Sequence, residues 1–179
     1  EEGNLGEPFL SSHNYRTHPF NLEYFKPINL VRSDRKLAFV DGGNQELITA
    51  PNFSIQLNST YFNVFEGRRL MVGGSRADIS RVASIARRFA EWRFSRHIVE
   101  TELDEGDVLV MDGTLRTAFI NEADYARQAY KIAKEKNVIY SGLSKTSKLF
   151  TTTGLSLLGA VRKFAEDSKV GPLWYYYPI

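Results

Sequence analysis

Cysteine is absent from the 179 residues, histidine occurs three times and methionine twice. Without thiols the chain can form no disulfide and offers no thiolate to a metal, so any ion it holds must rest on carboxylate, imidazole or carbonyl donors. There is no apolar run of about eighteen residues, the length a membrane-spanning helix needs, and no secretory leader. That predicts a cytoplasmic protein with no membrane partner. Excess charge of one sign is lacking too: 23 Lys and Arg stand against 21 Asp and Glu, a net charge of +2. The total therefore does not mark a nucleic-acid binder.

What is present is an ordinary soluble composition, 42% hydrophobic and 25% charged, with aromatics somewhat rich at 13%. The length suffices for one buried core. The positive charge is unevenly spread. Arg68, Arg69, Arg76, Arg81, Arg87, Arg88, Arg93 and Arg96 crowd into one stretch, which fits either a phosphate-binding surface or a solvated helix face.

Along the chain, residues 1–36 show no period and read as an irregular lead-in or arm. Leu37-Ala38-Phe39-Val40-Asp41 is a short apolar run closed by an acid, with Gly42-Gly43 as a tight exit. From Glu46 to Glu66, alternating β-branched and aromatic residues predict one or two antiparallel strands. Residues 77–99 read as the clearest helix, capped by Ser75 or Asp78. Its apolar stripe runs through Ile79, Val82, Ala83, Ala86, Phe89, Ala90, Arg93, Phe94 and His97, which makes His97 a buried structural residue. A second buried strand, Val108 to Gly113, precedes a helix over Glu122–Lys136, a third strand over Asn137–Leu143 and a last helix over Leu155–Glu166. The apolar end Leu173–Ile179 reads as a strand. This order predicts an α/β fold with a mixed β-sheet flanked by helices.

Two segments are built alike: Phe39-Val40-Asp41-Gly42-Gly43 and Val110-Met111-Asp112-Gly113-Thr114. Each puts a carboxylate at a strand end, where α/β sheets open onto a ligand crevice. Neighbouring carboxylates repel unless a cation lies between them, and Mg²⁺ or Mn²⁺ prefers such oxygen ligands. Asp-Gly as a mere turn signal is the other reading. Glu91 lies at the edge of the helical stripe and can reach over the sheet, or it can simply pair with Arg87 one turn away.

The run around Asp41, then Arg87-Arg88-Phe89-Ala90-Glu91, then Leu109-Val110-Met111-Asp112-Gly113-Thr114-Leu115 resembles the successive motifs of the archaeal NurA nucleases. So do Gly142-Leu143-Ser144-Lys145-Thr146-Ser147 and the closing Trp174-Tyr175-Tyr176-Tyr177. The resemblance spans residues 37–179. It implies a ribonuclease-H-like domain over those residues and Mn²⁺-dependent (or Mg²⁺-dependent) endo- and exonuclease activity on DNA by a two-metal mechanism. It also implies a homodimer and a HerA-like hexameric ATPase as partner in the resection of broken DNA ends.

Carried over, Asp41, Glu91 and Asp112 become the metal-binding acids and Lys145 a basic group near the scissile phosphate. On that reading Arg68, Arg69, Arg87 and Arg88 of the arginine-rich stretch would contact the nucleic-acid backbone. Family members continue past the aromatic strand and supply a late acidic or His ligand, which this chain does not match; the domain is thus expected to be incomplete at its C-terminus. Three rivals remain. They are another ribonuclease-H-like nuclease (a resolvase, transposase or Argonaute-type core), a non-catalytic NurA-like subunit for dimerisation and docking, and a phosphotransferase. The last would want a second acid two residues after the first, where Gly43 and Thr114 stand.

Overall fold

The structure, a computed structural model, describes residues 4–10, 18–80, 83–117, 121–144 and 149–177. The chain divides into two compact units, one formed by residues 33–144 and the other by residues 1–32 together with 145–179.

The unit of residues 33–144 is built on a five-stranded sheet. Its strands are β3 (Lys36–Ala50), β4 (Phe53–Glu66), β5 (Arg69–Ser80), β6 (Val108–Asp112) and β7 (Ile139–Leu143), in the order β5-β4-β3-β6-β7. The first three strands are antiparallel, and β6 and β7 add in parallel to β3. The expected mixed α/β sheet is present.

Several details differ from the sequence reading. The first strand does not stop at Gly42-Gly43 but pairs with β4 from Lys36↔Glu66 to Ala50↔Phe53. Neither glycine takes a positive φ, so both stay in the strand. The helix expected over 77–99 is α1, Ala83–Thr101. Ser75 and Asp78, the expected caps, are strand residues, because the ladder with β4 holds β5 extended as far as Ser80.

The buried stripe of α1 is also rotated from the expected one. It runs through Glu91, Trp92, Ser95, Ile98 and Val99, whereas Arg93 and His97 are exposed. The bulk of Trp92 decides this rotation: its ring stacks on Tyr140 at 6.0 Å and meets Tyr130 edge-on at 5.5 Å. Burying an indole of that size stabilises the unit by on the order of 4 kcal/mol. Helix α2 (Glu122–Glu135) turns Ala126, Ala129 and Ala133 inward, and these small residues let it approach α1 closely. The core joins these residues to Ala38, Val40, Val64, Leu109 and Met111 from the sheet.

In the other unit the lead-in is not irregular throughout. It holds β1 (Pro8–Leu10), a 3₁₀ turn at Leu22–Tyr24 and β2 (Phe25–Pro27). Strand β1 pairs antiparallel with β8 (Leu149–Thr151), and β2 pairs with β9 (Trp174–Tyr176), the expected terminal strand. Helix α3 (Leu157–Asp167) is capped by Ser156, whose hydroxyl accepts from the Gly159 amide at 3.1 Å. Phe25 packs edge-on against Trp174 and Tyr176, with ring centroids 4.9 and 4.8 Å away. Among the described residues no helix is long and apolar enough to cross a membrane.

Candidate active site

Val40 of β3 lies beside Met111 of β6 in the parallel ladder, so the next residues along, Asp41 and Asp112, are brought side by side. Asp112 ends β6 as expected, whereas Asp41 lies within β3, which runs on past the end of its neighbour. Strand alternation separates the faces. Ala38 and Val40 are buried beneath α1, and Leu37, Phe39 and Asp41 emerge on the opposite face. Asp41 there meets its cross-strand partner Tyr61, whose hydroxyl donates to Asp41 Oδ2 at 2.5 Å. The Tyr61 phenol titrates above its ordinary 10.0, first because of this hydrogen bond, then through burial and the negative charges of Asp41 and Asp112. Both aspartates therefore act on one hydroxyl.

Glu91 approaches from the helix side. A Cβ added to Gly42 would lie 2.6 Å from Glu91 Oε1, so the glycine provides the space in which this carboxylate sits. Only 3% of Glu91 is exposed. Burial pushes its carboxyl above the usual value and Asp41 adds to this, while Arg88 and Arg87 oppose it. Arg88 Nη1 donates to Oε2 at 3.0 Å. Arg87 Nε stands 3.5 Å from Oε1, an ion pair without a hydrogen bond, and is a buried donor with no hydrogen-bond partner among the described residues.

Arg88 is embedded rather than displayed. Its side chain is 13% exposed; Nε donates to Glu122 at 2.9 Å, Nη2 donates to the Thr114 carbonyl at 3.1 Å, and the guanidinium lies over the Trp92 ring. Glu122 also accepts from the Trp92 indole at 2.7 Å. The sequence reading missed Glu122 and Tyr61. An acid in the first turn of a helix looks like an ordinary dipole partner, and the Tyr61 contact depends on strand register.

The other expected residues are dispersed. Arg68 and Arg69 are exposed at the β4–β5 turn, level with Lys36 and roughly 17 Å along the strands from Asp41. Arg87 is partly exposed, and its Nη1 reaches the Gly42 carbonyl at 3.4 Å. Lys145 lies outside the described residues.

Among the described residues, no three His, Asp or Glu side chains stand close enough together to hold one ion. The donors nevertheless suit a hard divalent cation. Asp41, Asp112 and Glu91 offer carboxylate oxygens, Asp41 raises Glu91 by like charge, and among the described residues Glu91 Oε1 has only the long ion pair to Arg87.

No family model and no curated protein matches the chain. Among solved structures, the NurA nuclease from Sulfolobus solfataricus superposes with a TM-score of 0.50 at 15% identity, over 79% of this chain and 57% of that one. The chain thus spans 57% of the length of that nuclease. Ribonuclease H1 from Halobacterium salinarum NRC-1 gives a TM-score of 0.45 at 11% identity, over 64% of this chain and 89% of that one. An N-terminal ribonuclease H domain from Mycobacterium tuberculosis gives 0.43 at 15% identity, over 62% and 88%. The chain shares its fold with the NurA nuclease of Sulfolobus solfataricus.

Proposed function

We propose that the protein is a metal-dependent deoxyribonuclease that hydrolyses phosphodiesters, with Asp41, Asp112 and Glu91 holding Mn²⁺ or Mg²⁺. The observation that carries this reading is the side-by-side placement of Asp41 and Asp112 where β6 ends against β3, in a fold shared with that NurA nuclease. When bound, divalent ions supply an activated water and neutralise charge on the phosphodiester, as in two-metal nucleases. Asp41 and Asp112 contribute the pair of charges that attracts cations, and Tyr61 holds one oxygen of Asp41 in a fixed direction. Glu91 turns Oε1 toward the Asp41–Gly42 segment. Arg87, and at longer range Arg68 and Arg69, contact the DNA backbone without reading sequence; Lys145 serves near the scissile phosphate. The same reading makes the protein a cytoplasmic homodimer that resects double-strand breaks, by endo- and exonuclease cleavage, with a HerA-like hexameric translocase.

Labelled single- and double-stranded DNA incubated with Mn²⁺, Mg²⁺ or EDTA tests it. Degradation is expected with a divalent ion, none with EDTA, and a loss of more than about a hundredfold in Asp41→Ala and Asp112→Ala. The second reading is a non-catalytic NurA-like subunit that dimerises and docks on a translocase. The ion pairs of Glu91 with Arg87 and Arg88 favour it, because they already occupy one of the three acids. No cleavage with any ion, alongside intact DNA binding or dimerisation, would select that reading.

A further inference from the structure

Glu122 opens α2 with its side chain fully buried, although nothing in the chemistry of the three acids requires a fourth carboxylate there. A buried carboxylate is retained only when it is paired, and this one takes Arg88 Nε at 2.9 Å and the Trp92 indole at 2.7 Å. Arg88 in turn joins three segments: Glu91 on α1, the Thr114 carbonyl just past Asp112, and Glu122 on α2. One guanidinium is therefore divided between two carboxylates. Arg87 also stands 3.5 Å from Glu91, so without Glu122 the two arginines and Glu91 would sum to one positive charge and would repel a cation. With Glu122 present, the two arginines and the two carboxylates balance.

We infer that Glu122 is a positioning residue of the site: by taking one arm of Arg88 it keeps that arginine in place and offsets the excess positive charge that Arg87 and Arg88 put beside Glu91, so that Glu91 stays open to a divalent cation. The inference rests on the metal-binding reading above. It assigns Arg88 an internal role, because each of its three nitrogens donates inward, to Glu122, Glu91 or the Thr114 carbonyl.

The sign of the effect separates this role from simple packing. Glu122→Gln removes a charge and keeps an oxygen to accept from Arg88 and Trp92, so Arg88 becomes the undivided counter-ion of Glu91. Calorimetric titration of the full chain with Mn²⁺, in the absence of DNA, should then show affinity falling about tenfold, the order expected for withdrawing one unit charge two ion pairs away. Pairing it with Arg88→Gln removes both buried charges together, which proteins tolerate far better than losing one partner. The double variant restores the local charge and should recover Mn²⁺ affinity to within about threefold of wild type. This double variant keeps the test decisive if Glu122→Gln alone does not fold, which thermal melts of each variant report. Unchanged affinity in a folded Glu122→Gln protein would overturn the inference, as would a folded double variant that binds Mn²⁺ no better than the single one or, where the single one does not fold, more than about tenfold more weakly than wild type. A wild-type protein that takes up no Mn²⁺ would instead remove the metal-binding reading on which the inference stands.

Discussion

Gly42 has no room for a side chain, because an added Cβ would lie 2.6 Å from Glu91 Oε1 and 2.8 Å from Arg87 Cγ. The carboxylate tip can swing aside, but the stem of Arg87 cannot do so without shifting α1. Gly42→Ala is therefore expected to lower stability by about 1–3 kcal/mol and to weaken divalent-ion binding by displacing Glu91. Gly43→Ala is the control: its Cβ would meet only Ser59 Oγ at 3.3 Å. Urea unfolding and Mn²⁺ titration of both variants check this, and equal behaviour of the two would show that Gly42 is not the seat of Glu91. The Asp-Gly pairing that looked like a turn signal thus has another cause at Asp41, close approach of a helix-borne acid. At Gly113, where φ is +94°, the turn explanation holds.

At the scale of elements, the C-terminal end of α1 is closed by the residue that follows the end of α2. The Lys136 ammonium donates to the carbonyls of Val99 and Glu100 at 2.9 and 3.2 Å, and to that of Leu103 as well. The last carbonyls of a helix lack intrahelical donors and carry its negative dipole end, so a cation there satisfies both. Lys136→Met should cost about 1–3 kcal/mol and speed hydrogen exchange in the last turn of α1 before it affects the sheet. Exchange that stays uniform across the unit would mean that water replaces the ammonium at no cost.

Register is the other decision made at this scale. Counted back from Ala50↔Phe53, an unbroken hairpin would set Phe62 opposite Asp41. The irregularity between Glu46 and Ile48 moves the pairing by one residue and places Tyr61 there instead.

For the whole molecule, the segment Ser33–Ser144 contains the complete five-stranded sheet, α1, α2 and all three candidate acids. Expressed alone, it is expected to unfold cooperatively, because its core of Ala38, Trp92, Ile98, Leu109 and Met111 is drawn wholly from within it. A broad, non-cooperative melt of residues 33–144 would refute its independence. The other unit is discontinuous in the chain, with β1 and β2 from one end paired to β8 and β9 from the other. Neither end has a complete sheet without the other.

The sequence by itself determined the period-two strands, the helices of α2 and α3, the mixed α/β class and the two Asp-Gly segments, because each rests on local periodicity or on a short run of residues. It did not determine the start of α1, where Ser75 and Asp78 are residue types that cap helices but were held in β5 by a ladder to Tyr61 and Asn58 of β4. Nor did it reveal the burial of Glu122, the division of Arg88 between two carboxylates, or the meeting of Tyr61 with Asp41. Those follow from register and helix rotation, which depend on how elements distant in the chain pack together, and only the tertiary structure sets them.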